Sequence, residues 1–251
     1  MSALAIGIGV VYSVRNVNVS LISYAGEEAA KAAISEIKLS VSGECAGKVI
    51  SFVDEEDVRG CVERDFTVNG AEKKYTLESF EKIYPCTLNI TVKERRATYA
   101  VASENGFDIY DENGGYMRSS DENLNKTELG GDGAPFVLVE GTETDEELQA
   151  VMELCAVFGS EDNFSAIRAA VDKVTLVKSQ STIAADRLNF FLRCGLTVVV
   201  QDYSVSGAEK IARAAKEFSS LTGEQKLSGT IYCHITADGA VEATYGKNRN
   251  L

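Results

Sequence analysis

The side chains that most often carry out catalysis are scarce in this chain, which has one histidine and six cysteines. His234 alternates with Tyr232 and Thr236 as on the outer face of a strand, and a lone histidine there is typical of a surface position. No serine stands in a Gly-x-Ser-x-Gly motif, and no phosphate-binding loop ending in Lys-Ser or Lys-Thr occurs. The sequence therefore shows no recognisable nucleophilic or phosphate-binding centre.

The cysteines form no Cys-x-x-Cys pair, so the ligand spacing of a zinc site is absent. We interpret them as small apolar residues of the protein cores. The alternative is a disulfide such as Cys194–Cys233, if the protein lies outside the cytoplasm, where disulfides form and persist. The six positions are Cys45, Cys61, Cys86, Cys155, Cys194 and Cys233.

Carboxylates are plentiful, with 38 acidic against 25 basic residues and a net charge of −13. The cluster Asp54–Asp57 resembles a metal site, but acids at the start of a predicted helix need no metal, and no glycine stands at a calcium-loop position. The number of carboxylates alone does not exclude a glycosidase site with two paired acids, yet no tryptophan is present to line a sugar cleft. We predict that the chain is not an enzyme and has no catalytic, cofactor or metal site.

The acidic surface also limits the partners. A negative protein repels phosphate backbones, so we predict no nucleic-acid binding. The charge argues against broad electrostatic docking on anionic lipid, although it says nothing against a membrane anchor. We predict no small-molecule substrate.

The stretch Tyr84–Met117 gives the clearest structural pattern. Leu88, Ile90 and Val92 alternate with polar residues, which predicts a half-buried strand with Pro85 just before it. Glu94-Arg95-Arg96 is interpreted as a strand end with solvated charges. A hairpin follows, with turn residues at Asp111–Gly115.

The residues before this stretch predict the element order β-α-α-β-β. A strand at Val17–Ile22 precedes a helix that begins at Glu27 and has an apolar stripe. Ala46–Val53 reads as extended, and Asp54 reads as the N-cap of a second helix. Antiparallel strands at Tyr75–Tyr84 and Leu88–Arg95 complete the set. The predicted buried face of the second helix is Val58, Cys61, Val62 and Phe66.

The residues after this stretch predict mostly strands and two flanking helices. Capping boxes at Thr144/Glu147 and Ser206/Glu209 mark the starts of those helices. The last predicted elements are strands at Gly229–Thr236 and Val241–Tyr245, which form a hairpin about Asp238-Gly239. We expect Ile231, Cys233 and Ile235 to face the core, and Thr230, Tyr232, His234 and Thr236 to face outward.

A proline-led strand that ends in Glu-Arg, followed by a hairpin with an acidic-glycine turn, resembles bacterial cell-division proteins of the DivIB/FtsQ family. The resemblance extends from about Asn16 to the C-terminus. It implies an α+β fold, with a POTRA domain at residues 16–96 and an FtsQ/DivIB-type β-domain at residues 97–251. The chain departs from the family pattern in the loop at Asn69–Glu72 and in having six cysteines.

The N-terminal residues 1–15 contain an apolar run, Ala3–Tyr12, with no basic residue before it. As a helix the run spans only ~18 Å, against a hydrocarbon core of ~30 Å. It could be part of a transmembrane helix, a signal-like segment or an apolar strand. The resemblance favours the first, because family members carry one membrane span just before the POTRA domain.

Three hypotheses for the function follow. The resemblance implies a non-catalytic scaffold of the divisome, a single-pass membrane protein at the division septum with most of its chain outside the cytoplasm. The resemblance implies that this scaffold helps to assemble the septal cell-wall synthesis machinery. The alternatives are a cell-wall hydrolase with an unrecognised carboxylate site, or a POTRA-type chaperoning module of another membrane system.

The resemblance also implies partners and a site. Family members bind the small division proteins DivIC/FtsB and FtsL through the C-terminal helix and final strands, by adding a partner strand to the sheet edge. The matching segment here is Gly229–Tyr245, with Tyr232 and Tyr245 as expected aromatic anchors. The predicted partner-binding residues are Tyr232, His234, Ala240, Val241, Ala243 and Tyr245.

Overall fold

The protein is described by a computed structural model that covers residues 12–24, 26–103, 106–120, 135–161, 167–180 and 185–247. The chain divides into two compact units, Met1–Arg96 and Ala97–Leu251. Helices and strands occur in both, so the α+β class is confirmed. Residues 1–11 of the predicted N-terminal segment, which include the apolar run up to the residue before Tyr12, lie outside the described residues. No helix in the described parts of the chain combines the length and apolar character needed to cross a bilayer.

The first unit contains a three-stranded sheet in the order β1-β5-β4. Strand β1 runs parallel to β5, and β4 runs antiparallel to β5. Strands β2 and β3 form a separate hairpin. The elements are β1 (Asn16–Ile22), α1 (Glu27–Cys45), a 3-10 helix (Ile50–Phe52), α2 (Glu55–Val62), β2 (Phe66–Val68), β3 (Ala71–Lys73), β4 (Tyr75–Ile83) and β5 (Thr87–Glu94).

The alternation along β5 places its apolar residues in the core of this unit. Leu88 and Val92 are fully buried, and Ile90 is 2% exposed. Helix α1 contributes a matching stripe at helical spacing, and the two faces belong to one cluster of buried side chains. The helix residues of that stripe are Ala33, Ile37, Val41 and Cys45.

Three local predictions in this unit can be compared with the structure. Asp54 is the N-cap of α2, since its carboxylate accepts a hydrogen bond from the Asp57 N–H at 2.9 Å. The prediction that Phe66 lies on α2 is wrong, because the helix ends at Val62 and Phe66 begins β2. The extended segment predicted at Ala46–Val53 is instead interrupted by the 3-10 helix Ile50–Phe52.

The β2–β3 hairpin explains why Phe66 leaves the helix. Asn69 and Gly70 form its turn with φ angles of 52° and 80°, the left-handed conformation that a two-residue hairpin favours. The hairpin lets Phe66 pack edge-on against Tyr75, with ring centroids 5.5 Å apart. Aromatic packing and turn chemistry thus override the helical spacing that continued from Val62.

Opposite faces of β5 should respond differently to truncation. Ile90→Ala is expected to lower the free energy of unfolding by about 2–5 kcal/mol, because Ile90 is buried in the core. Asn89→Ala should cost less than about 1 kcal/mol, since Asn89 lies on the opposite face of β5 and its amide oxygen accepts a hydrogen bond from the exposed Asn18 side chain at 2.9 Å. Chemical denaturation of both variants measures the difference, and equal losses would contradict the facing of β5.

The end of β5 differs from the prediction of solvated charges. Glu94 is only 5% exposed. Its carboxylate accepts hydrogen bonds from Lys73 Nζ and Ser23 Oγ, both at 2.5 Å, and from the Tyr24 N–H at 3.3 Å. Burial alone would raise the pKa of Glu94, but the bonds from Lys73 and Ser23 outweigh it, so the pKa lies below its ordinary value. Glu94 therefore joins β5 to the β2–β3 hairpin and to the chain after β1.

Glu94 makes the free energy of unfolding of the first unit depend on pH. A carboxyl whose pKa is lowered by folding adds stability above its unfolded pKa of ~4.3, and that stability is lost as the pH falls through the folded pKa. Glu94→Gln is expected to cost about 1–3 kcal/mol at neutral pH. Urea unfolding over a pH series should show this difference shrinking below about pH 4. A difference that is constant with pH would contradict the ionised pair.

The second unit is built on one nine-stranded sheet in the order β14-β13-β12-β11-β10-β9-β6-β7-β8. The pairs β6/β9, β9/β10 and β12/β13 are parallel, and the others are antiparallel. The elements are β6 (Ala97–Ser103), β7 (Gly106–Asp111), β8 (Tyr116–Ser120), β9 (Val137–Glu140), α3 (Asp145–Ser160), α4 (Ile167–Ala170), β10 (Val171–Val177), β11 (Arg187–Leu192), β12 (Thr197–Gln201), α5 (Gly207–Ser220), a 3-10 helix (Gln225–Leu227), β13 (Thr230–Ile235) and β14 (Val241–Gly246).

Helices α3 and α5 cover one face of this sheet and share its main core. Helix α3 begins with the predicted capping box, in which Thr144 and Glu147 bond to each other's backbone. Near its other end, Phe158 stacks on Phe190 of β11 with ring centroids 4.5 Å apart. The short helix α4 is an addition to the two helices that the sequence predicted.

Candidate partner-binding edge

The C-terminal hairpin forms one edge of the nine-stranded sheet. Strands β13 and β14 are antiparallel, in a register that pairs Ile231 with Tyr245 and His234 with Glu242. The Thr236 N–H donates to the Ala240 carbonyl at 2.8 Å and closes the turn. Within the described parts of the chain, no strand pairs with the outer side of β14. The predicted hairpin is therefore present, and it lies at an edge.

The ladder geometry shows which backbone groups point outward. In an antiparallel pair, residues alternate between positions bonded to the partner strand and positions whose N–H and C=O point away from it. Since Thr236 and Ala240 are a bonded pair, the bonded positions of β14 are Glu242, Thr244 and Gly246. The outward N–H and C=O groups are those of Val241, Ala243 and Tyr245.

Side chains of the hairpin alternate between the two sheet faces. Ile231 and Cys233 face the helices and are fully buried, as predicted. Ile235 was expected beside them but is 37% exposed, because β12 pairs with β13 only as far as Cys233. Thr230 was expected to face outward but is buried at the other end of the strand.

Tyr245, predicted as an aromatic anchor, is used inside the unit. Its side chain packs against the main core, and its hydroxyl donates to the Ser228 carbonyl at 3.1 Å. Its side chain lies so close to Gly229 that a Cβ there would sit 2.8 Å from both Cε2 and the hydroxyl oxygen of Tyr245. Gly229 also has a φ of 100°, a left-handed conformation that favours glycine. Both the backbone conformation and the nearby Tyr245 side chain therefore favour glycine at this position. The edge therefore presents the backbone of Tyr245 rather than its ring.

The other predicted residues lie around the same hairpin. Tyr232 and His234 are half-buried on the face away from the helices, opposite Thr244 and Glu242 respectively. Ala240 is exposed at the turn. Val241 and Ala243 are half-buried on the helix-facing side of the edge strand. The structure thus brings all six predicted residues into one hairpin, with side chains on both faces.

Lys210 holds the turn that leads into α5, the helix under this hairpin. Its side chain is fully buried, and its ammonium donates three hydrogen bonds of 2.7 Å to backbone carbonyls. Burial lowers the pKa of Lys210, and the nearby Asp202 acts in the opposite direction. The three acceptors are the carbonyl oxygens of Gln201, Asp202 and Val205.

The predicted capping box at the start of α5 is wrong. Ser206 is the N-cap, but it has a left-handed φ of 52° and its side chain makes no capping hydrogen bond. The turn is instead fixed from inside by Lys210. A signal for this role existed in the sequence, since Lys210 occupies an apolar-stripe position beside Ile211, four residues before Ala214.

The cysteines are all free, so the Cys194–Cys233 disulfide is not formed. Cys194 lies exposed in the turn between β11 and β12, whereas Cys233 is fully buried under α5. Burial raises the pKa of Cys45 to about 11 and that of Cys233 to about 12, so both thiols stay protonated and unreactive at neutral pH. Among the described residues, no three histidine, cysteine or acidic side chains are grouped to hold a metal.

Comparisons with known proteins do not identify a family for this chain. No family model matches the chain, and no curated protein matches it. Among solved structures, the major extracytoplasmic domain of the trans isomer of the bacterial cell-division protein DivIB from Geobacillus stearothermophilus is 17% identical. The match covers 53% of this chain and 94% of that one, with a TM-score of 0.29. A likeness of this size carries no argument about fold or function.

Proposed function

We propose that this chain is the extracytoplasmic part of a divisome scaffold of the DivIB/FtsQ type. In this proposal it has no catalytic role and is held at the cell membrane by its N-terminal segment. It binds DivIC/FtsB-like and FtsL-like division proteins at the septum. The proposal is supported by the sequence resemblance around Tyr84–Met117 and by the architecture of both units.

The observation that carries the proposal is the edge of β14. A partner segment can add a strand there, because the outward N–H and C=O groups of Val241, Ala243 and Tyr245 repeat at strand spacing. Edge strands are commonly protected by proline, lysine or a β-bulge. Strand β14 contains neither residue and pairs with β13 without a register shift. It is therefore suited to accept a partner strand.

The first unit supports the proposal through its connectivity. Its main sheet is formed by β1, β4 and β5, with α1 and α2 inserted between β1 and β4. In our proposal this connectivity corresponds to the strand–helix–helix–strand–strand order expected of a POTRA domain, with the β2–β3 hairpin added after α2. In our proposal this unit is the membrane-proximal module, and the second unit binds the partners.

A proline at Ala243 tests the proposal. Its N–H points outward, so Ala243→Pro removes an edge donor without removing a bond to β13. Isothermal titration with the soluble region of the DivIC/FtsB-like partner should show binding weakened by about tenfold or more, as expected for losing one well-placed hydrogen bond and blocking close approach. Ala243→Ser keeps the N–H and is the matched control, which should bind like the parent chain.

Circular dichroism and thermal unfolding must show that the proline variant is folded. A folded Ala243→Pro variant that binds as tightly as the parent would place the interface elsewhere. No binding by the parent chain would refute the assignment to the DivIB/FtsQ type.

A further inference from the structure

Three aromatic side chains are exposed at one end of the first unit. Phe52 is 79% exposed, Tyr84 is 58% exposed and Tyr12 is 40% exposed. The rings of Tyr12 and Tyr84 meet edge-on, with centroids 6.5 Å apart. Single apolar residues on a surface are ordinary, but a group of them marks an interaction site. We call Tyr12, Phe52 and Tyr84 the aromatic patch.

Hydrogen bonds bring the patch residues together from three segments. The Ile50 N–H donates to the Tyr12 carbonyl at 2.8 Å, which ties the 3-10 helix that contains Phe52 to the chain before β1. The Arg15 N–H donates to the Cys86 carbonyl at 2.9 Å, which ties the same chain to the β4–β5 turn after Tyr84. The patch is thus a fixed feature of the fold rather than a set of independent loop tips.

Charged residues of both signs lie near the aromatic patch: the acidic start of α2, Asp54–Asp57, follows Phe52, and two basic residues are also close. Lys82 Nζ reaches the Ser51 carbonyl at 3.3 Å, between β4 and the 3-10 helix. Arg15 is exposed three residues after Tyr12. Aromatic rings with nearby lysine or arginine are the side chains enriched where proteins meet the headgroup region of a bilayer.

We propose that the aromatic patch lies in the interfacial layer of a lipid bilayer. The apolar run Ala3–Tyr12 ends in the patch itself, at Tyr12. Phe52 and Tyr84 lie next to Tyr12, so an anchor that ends at Tyr12 brings their rings to headgroup depth. The inference rests on the proposed function, in which the N-terminal segment anchors the chain. It adds that the folded unit also contacts lipid and so has a fixed orientation on the membrane.

The chain contains no tryptophan, so a single introduced tryptophan reports on its own surroundings. The test uses Phe52→Trp and Tyr84→Trp, each in the full chain. The matched control is Leu39→Trp, at a position on α1 that is 70% exposed and outside the patch. Vesicles contain phosphatidylcholine with a minor fraction of phosphatidylglycerol, and a brominated acyl chain serves as the quencher.

Tryptophan at positions 52 and 84 should shift its emission to the blue and be quenched when vesicles are added, whereas position 39 should change little. Phe52→Ser should also weaken partitioning into vesicles by roughly tenfold, as expected for losing most of one buried phenylalanine. Leu39→Ser should leave partitioning unchanged.

Two results would overturn the inference. One is a vesicle-bound chain in which positions 52 and 84 are quenched no more than position 39. The other is emission from position 52 that is already blue without lipid and unaffected by it, which would mean that protein covers the patch. Either result leaves partner binding at β14 intact, so this inference can fail while the proposed function stands.

Discussion

Replacing Lys210 with methionine is expected to lower the free energy of unfolding of the second unit by about 3–5 kcal/mol. Methionine has nearly the same length, so the change mainly removes the ammonium. Three backbone carbonyls would then lose the bonds of 2.7 Å that they accept from Lys210, and the Asp202 carbonyl would keep only the bond from the Val205 N–H at 3.1 Å. Urea unfolding followed by circular dichroism measures the loss.

Lys216→Met is the matched control, because Lys216 lies on the exposed side of the same helix. It should change the free energy of unfolding by less than about 0.5 kcal/mol. If both variants lost the same small amount, Lys210 would not be holding the turn before α5. If Lys210→Met is as costly as expected, the support under the β13–β14 hairpin depends on one buried cation.

Gly195→Ala is expected to be comparably costly, at about 3–5 kcal/mol. Gly195 has a φ of 104°, in the turn between β11 and β12. A Cβ there would lie 2.4 Å from the Leu227 carbonyl oxygen, and a backbone atom cannot move aside as a side chain can. The variant combines backbone strain with a steric overlap next to the start of β13.

Two other glycines separate these causes. Gly239 has a φ of 86° but open space around it, so Gly239→Ala should cost only about 1–2 kcal/mol. Gly223 has open space and no positive φ, so Gly223→Ala should be close to neutral. Thermal unfolding of the three variants should give that order. A Gly195→Ala variant as stable as Gly239→Ala would contradict the close approach to Leu227.

Sequence patterns predicted the elements whose cause is local. The alternation of Leu88, Ile90 and Val92 identified β5, and the side chains at Thr144 and Asp54 identified two helix starts. In each case the residues that form the element also carry its signal.

The features that the sequence analysis missed depend on contacts distant in the chain. Glu94 is buried because Lys73, 21 residues earlier, donates to it. Phe66 leaves the helical pattern because Tyr75 offers an edge-on ring contact. Lys210 takes over the role predicted for the Ser206 cap because three carbonyls converge on it. Spacing along the chain does not encode such partners.

The candidate edge was predictable as a hairpin but not in its detail. The turn at Asp238-Gly239 and the alternation in β13 are visible in the sequence. That β14 lies at the end of a nine-stranded sheet, and that Tyr245 is held by Ser228 and Gly229, follows only from the assembled unit.

Amide hydrogen exchange along β14, measured by NMR, tests the addition of a partner strand most directly. The chain is compared with and without the soluble region of the DivIC/FtsB-like partner. We expect new protection at the outward N–H groups of Val241, Ala243 and Tyr245. The N–H groups of Glu242 and Thr244, already bonded to β13, should change little. Protection without this alternation, or confined to other strands, would contradict partner binding at the β14 edge.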